Sequence, residues 1–113
     1  MNNLGVSYQK LEKYEKALEY YERALKGYEK TLGKAHLNTI DLLLNISICL
    51  GQGPGDYVRA EVLLKRALEG YEKLRGKEHN STKYCAKVYG LCLNRNRKSD
   101  LADKLEKKYL GLD

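Results

Sequence analysis

The chain contains one long segment written twice. Residues 14–36 align with residues 57–79 at a constant offset of 43, which sets Ala17 on Ala60, Ala24 on Ala67, Gly27 on Gly70, Tyr28 on Tyr71 and Gly33 on Gly76. So many identities in a single register are not a chance event. A fixed period in the range of about 20–50 residues restricts the fold to a repeat architecture, in which each unit buries its apolar face on a neighbour.

A second element recurs between these copies. Leu4-Gly5 and Tyr8 return as Ile46-Ser47 and Leu50 after 42 residues, and as Tyr89-Gly90 and Leu93 after a further 43. The extra residue of the middle unit falls in the glycine-rich stretch 51–55, expected to be an inter-helix turn. Ala102 lies 42 residues after Ala60, so a third copy of the second element starts near Ser99. The order is A-B-A-B-A-B, six helices, with both ends expected to be clipped.

The helical assignment has a local cause. In residues 14–32 the apolar or small positions are 17, 18, 21, 24, 25, 28 and 32, a stripe at spacings of mainly three and four. Gly33 and Gly76 follow as stop signals. Thr39, and Asn80, Ser81 or Thr82, are the expected N-caps of the next helices. Gly5, Ser47 and Gly90 on the A helices, with Ala17, Ala24, Ala60, Ala67 and Ala102 on the B helices, let paired backbones approach closely.

These residues carry a family resemblance. Leu4-Gly5, Tyr8, Ala17, Tyr21 and Ala24 resemble the tetratricopeptide signature: a small residue and an aromatic on helix A, then Ala, aromatic, Ala on helix B. The period of 42–43 exceeds the family's usual ~34. The extra length in helix B, ending Leu-Gly-Lys-x-His, is similar to the kinesin light chain variety. The resemblance implies an all-α fold of antiparallel helix-turn-helix repeats stacked in a right-handed superhelix. It divides one domain, 1–113, into a repeat at about 1–36, a second at about 37–79 and a partial third at about 80–113, so about 2.5–3 repeats. HEAT and armadillo arrays share the period but lack this register. Glu12 stands where the family favours Gly, Leu37 and Asn80 replace its post-histidine proline, and Glu106 replaces the large apolar residue of the third B helix.

Catalytic and cofactor chemistry find no support. Residues 51–55 lack the Gly-Lys-Ser/Thr ending of a phosphate loop and follow a helix rather than a strand. His36 and His79 are repeat equivalents expected to pack in loops, too far apart to share a metal. Cys85 and Cys92 are two helical turns apart, about 10 Å, too far for a disulfide; with Cys49 they read as buried small residues. No nucleophile is placed beside a histidine, so the chain is expected not to be an enzyme and to need no cofactor or metal.

Composition narrows the setting. No apolar run approaches the about 20 residues that cross a bilayer, and the first residues have no signal-peptide pattern. An odd number of cysteines argues against a disulfide framework and for the cytoplasm. The net charge of +6 is uneven: residues 1–79 carry 13 basic and 11 acidic side chains, residues 80–113 carry 8 and 4. The basic residues are not interleaved with stacking aromatics, so nucleic acid is not the expected partner, nor is a membrane.

In this family the A helices line the concave face, where partner peptides lie. The A-helix positions pointing away from the A–B packing are Asn2, Asn3 and Val6, then Asp41, Asn45 and Ile48, then Tyr84, Lys87 and Leu91, with Gln9 and Arg95 at helix ends. Asn3 and Asn45 hold the asparagine position of the family's Asn-Leu-Ala element, and their amides can both donate to and accept from a peptide backbone; Val88 breaks that ladder in the third repeat. The expected partner is a protein or peptide, acidic and extended. A second reading makes the array a structural piece whose open repeat ends pair with another copy, a homo-oligomer, or with further repeats of a longer parent.

Overall fold

The computed structural model describes residues 2–111, the side chains of residues 2–4 and 7 excepted. Six helices follow one another: α1 Asn2–Lys10, α2 Tyr14–Thr31, α3 Leu37–Gln52, α4 Tyr57–Arg75, α5 Asn80–Arg95 and α6 Ser99–Leu110. Each helix packs against its neighbours in the chain, and α3 also meets α5. The result is a stack of antiparallel helix pairs, α1–α2, α3–α4 and α5–α6, as the repeat predicts. The third B helix forms despite Glu106.

The repeated small residues are where backbones come close. A Cβ on Gly5 would stand 2.5 Å from the Tyr21 ring, and one on Gly70 would stand 2.4 Å from Ile40 Cδ1. Tyr21 is thus the large partner of a small one, and both are buried. In the second pair Ser47 and Leu64 take those positions; in the third, Glu106 lies over Gly90, 3.2 Å from where a Cβ would be. The core runs continuously through the stack: Ala17, Tyr21 and Ala24; Leu42, Leu43, Ile46 and Leu50; Ala60, Leu64, Ala67 and Tyr71; Cys85 and Ala86; then Tyr109 of α6. Cys49 Sγ lies 3.6 Å from the Tyr14 carbonyl and Cys92 Sγ 3.4 Å from that of Tyr57, the same contact one repeat later.

The turns within pairs are also copies. The Lys13 N–H donates to the Tyr8 carbonyl at 2.8 Å, and the Lys98 N–H to that of Leu93 at 2.7 Å. In the middle pair the equivalent bond, Asp56 N–H to the Leu50 carbonyl at 3.1 Å, closes one residue later and so absorbs the extra residue. The residue just before each donor is left-handed: Glu12 (φ 59), Gly55 (φ 69) and Arg97 (φ 60). Glu12, where glycine is the family habit, therefore adopts the conformation that glycine prefers. The glycine-rich stretch is not wholly a turn, because α3 runs on through Gly51 and Gln52.

The N-caps differ from expectation. His36 and His79, not Thr39 or residues 80–82, cap α3 and α5: each Nδ1 accepts from the backbone N–H two residues on, Asn38 at 3.1 Å and Ser81 at 3.0 Å. Thr39 and Thr82 are buried and donate back to the carbonyls of Gly33 (2.8 Å) and Gly76 (2.7 Å). With both glycines at positive φ (92 and 88), the loop curls so that its own carbonyl meets the hydroxyl. The hydroxyl is then occupied, and the imidazole takes the cap.

Adjacent B helices are tied by polar side chains at a spacing of 37. Arg59 of α4 pairs with Glu22 of α2 at 2.7 Å, Arg66 with Glu29 at 3.2 Å, Lys98 with Glu61 at 2.9 Å, and the Tyr109 hydroxyl donates to Glu72 at 2.6 Å.

Candidate functional site

Two adjoining depressions follow the A helices. The first, about 330 Å³, is lined by Val6, Gln9 and Lys10 of α1, Asn45 and Gln52 of α3, and Tyr21 beneath them. The second, about 670 Å³, lies between α3 and α5. Its apolar wall includes Ile48, Tyr84, Val88 and Leu91, with Tyr57 and Leu64 at the floor and Arg95 at one end. Gln52 belongs to both, so they are two compartments of one groove.

The polar compartment is organised by a hydrogen-bond chain. The Tyr21 hydroxyl donates to Gln9 Oε1 at 2.7 Å, and Gln9 Nε2 donates to Gln52 Oε1 at 2.9 Å. Burial, with a smaller push from Cys49, raises Tyr21 to about 12, so its hydroxyl stays a proton donor at any physiological pH. The apolar compartment is open to solvent: Tyr84 is 53% and Leu91 58% exposed. Lys10 and Arg95 are the charged side chains lining the two compartments.

Seven of the residues picked from the register line the groove: Val6, Gln9 and Asn45 in the first compartment, and Ile48, Tyr84, Leu91 and Arg95 in the second. Lys87 is exposed but lines neither. Asp41 lines neither either; it accepts the Tyr71 hydroxyl at 2.5 Å and so braces α3 on α4. The side chains of Asn2 and Asn3 lie outside the described residues. Gln52 and Val88 also line the groove, within the A-helix spans 41–52 and 84–95 expected to form it; Val88 stands at the position where the asparagine ladder breaks.

The three thiols are held in their protonated form. Burial pushes Cys49 and Cys92 up to about 11 and Cys85 up to about 12, with Glu61 adding to the push on Cys92, so all three stay thiols and are weak nucleophiles. Among the described residues no cluster of His, Cys, Asp and Glu is arranged to hold a metal ion. No helix described is long and apolar enough to cross a membrane.

Comparison with known proteins agrees with this architecture. A family model for the tetratricopeptide repeat matches residues 1–73. No curated protein matches the sequence. Among solved structures the chain is similar to BtubC (BKLC) from P. vanneervenii, known from its crystal structure, with a TM-score of 0.88 at 22% identity. The likeness covers 96% of this chain but 42% of that one, so the chain spans less than half the length of its structural relative. At that identity the likeness is one of fold.

Proposed function

Because the chain belongs to the tetratricopeptide repeat family, we propose that it is a binding module that takes a peptide, or an extended segment of a partner protein, along the groove of α1, α3 and α5. Repeats of this family are generally protein–protein interaction modules and typically non-enzymatic scaffolds. The observation that carries the reading is the two-compartment groove, with solvent-open Tyr84 and Leu91 beside an ordered amide pair, Gln9 and Gln52. Exposed aromatic and aliphatic side chains grouped in a concavity anchor ligands, while amides position a backbone. With Lys10 and Arg95 as its charged lining, the groove suits an acidic ligand. The units are taken as 1–36, 37–79 and 80–113 of one domain. Their 42–43-residue period and the 18- and 19-residue B helices suit the long, kinesin-light-chain-like variety. Three unpaired buried thiols suit a reducing, cytoplasmic setting.

The test is selection of peptides from a random phage library on the wild-type chain, followed by fluorescence polarisation with each selected peptide. Tyr84→Ser with Leu91→Ser is expected to weaken binding at least roughly tenfold. Val58→Ser with Val62→Ser, equally exposed but on α4, is expected to leave it unchanged. Peptides that bind both variants equally well would refute the groove.

A further inference from the structure

Gln9, Gln52 and Arg95 form one column along the groove. They stand 43 residues apart, near the C-terminal ends of α1, α3 and α5, and each lines a compartment. The rung between the first two is closed, because Gln9 Nε2 donates to Gln52 Oε1 at 2.9 Å. The rung between Gln52 and Arg95 is open. Among the described residues neither Gln52 Nε2 nor the Arg95 guanidinium has a hydrogen-bond acceptor or an ion-pair partner. Both residues line the larger compartment. That compartment lies between α3 and α5, inside the array, so a repeat stacked before α1 or after α6 would not fill it.

The polarity of the open rung is set from below. Tyr21 is 1% exposed, and Gln9 is the one hydrogen-bond partner of its hydroxyl among the described residues, at 2.7 Å. A buried O–H without an acceptor is costly, so the hydroxyl donates and the Gln9 atom facing it is the oxygen. An amide carries its oxygen and its nitrogen on opposite sides, so Gln9 turns Nε2 to Gln52. That N–H takes Gln52 Oε1 and leaves Nε2, a donor, as the free end of the chain. The guanidinium of Arg95 has donors only. Both sides of the open rung therefore donate. The counterparts of Tyr21 are Leu64 and Glu106, so the buried hydroxyl belongs to the first repeat alone.

We propose that Tyr21, acting through Gln9, is a positioning residue that makes the open rung select a carboxylate over its amide, and that an Asp or Glu side chain of a groove-bound peptide seats between Gln52 and Arg95. This rests on the groove reading and adds to it the seat of the acidic residue and the buried group that sets its chemistry. Without the Tyr21 hydroxyl both glutamines are free to turn over. Gln9 Oε1 then accepts from Gln52 Nε2, and Gln52 Oε1 becomes the free end. An oxygen there repels a carboxylate and accepts from an amide.

The probe is a peptide selected from the phage library on the wild-type chain, with each aspartate changed to asparagine and each glutamate to glutamine, one at a time. Fluorescence polarisation gives the ratio of the two affinities at each position. At one position the wild-type chain is expected to prefer the carboxylate at least roughly tenfold, as for a hydrogen bond to a charged group. The Q52A, R95A chain is expected to bring that ratio to about one. Y21F is expected to lower it at least roughly threefold while binding the amide form no more weakly. Lost packing would weaken both forms alike and leave the ratio unchanged, and circular dichroism checks that the variants stay folded. In the ligand-free ¹⁵N-labelled chain, Y21F is expected to move the side-chain amide signals of Gln9 and Gln52 and to leave that of Asn94 in place. Unmoved glutamine signals or an unchanged ratio in Y21F would overturn the relay. A ratio of about one at every acidic position in the wild type, or selected groove peptides with no acidic residue, would overturn the seat. If Y84S, L91S still loses the peptide, those outcomes leave the groove reading standing; if it binds as tightly as the wild type, the groove reading fails and this proposal fails with it.

Discussion

Replacing His36 and His79 by alanine tests how the repeats are joined. Each imidazole sits at an extended residue (φ −70, ψ 143 and φ −68, ψ 144) and accepts the N–H two residues on. Both side chains are exposed, so alanine removes little packing and the loss is mainly the cap. Exchange of a good N-cap for alanine costs about 1 kcal/mol, within a range of roughly 0.5–2. The two caps lie a full repeat apart and share no partner, so their costs add, to about 2 kcal/mol for the double variant. That is a large share of the roughly 5–15 kcal/mol that stabilises a domain. Aspartate offers the same acceptor and adds a negative charge at the positive end of the helix dipole, worth about 0.3–1 kcal/mol. His36→Asp and His79→Asp are therefore expected to match or exceed the wild type. Urea unfolding followed by far-UV circular dichroism measures all three. If alanine costs less than about 0.2 kcal/mol, or aspartate damages the fold as much as alanine, the imidazoles act by something other than capping.

Other expectations concern turns and buried groups. Gly53→Ala is expected to destabilise by about 1–3 kcal/mol, because its Cβ would lie 2.3 Å from Tyr14 Cβ, the stiff root of a side chain; an unchanged urea midpoint would remove that contact from the account. Arg97→Gly is expected to raise the thermal midpoint, since a non-glycine residue at φ 60 costs about 1 kcal/mol and glycine returns only part of that as chain entropy; a lower midpoint would contradict it. Tyr21, Cys49 and Cys85 bind their protons more tightly folded than unfolded, at about 12, 11 and 12 against ordinary values of 10, 9 and 9. The unfolded chain then releases protons first, so stability present below pH 9 is lost as pH rises from 9 to 12. A urea midpoint constant across that window would refute the burial of these groups. Finally, all three thiols are expected to react with Ellman's reagent only at the rate of unfolding; fast labelling of the native chain would show at least one of them to be accessible.

Much of the fold was legible because a repeat writes the same packing instruction more than once. The stripe at 17, 21 and 24, its copy at 60, 64 and 67, and the small residues 5, 47 and 90 set which helix faces meet and how closely. These are local periodicities, and they need no knowledge of the tertiary partner. The A-helix register likewise placed seven residues in the groove, since a helix turns by a constant angle per residue. What the sequence left open depended on contacts between segments. Thr39 and His36 are both credible caps on local grounds; the trajectory of the loop from Gly33 decided between them by giving the threonine hydroxyl another acceptor. Asp41 faces outward by register, yet Tyr71, thirty residues away, claims its carboxylate. The ladder of Arg59 and Arg66 on Glu22 and Glu29 runs at 37 rather than 43, because reach across a helix interface is set by the offset and crossing of two helices, and neither quantity is written in the period of one.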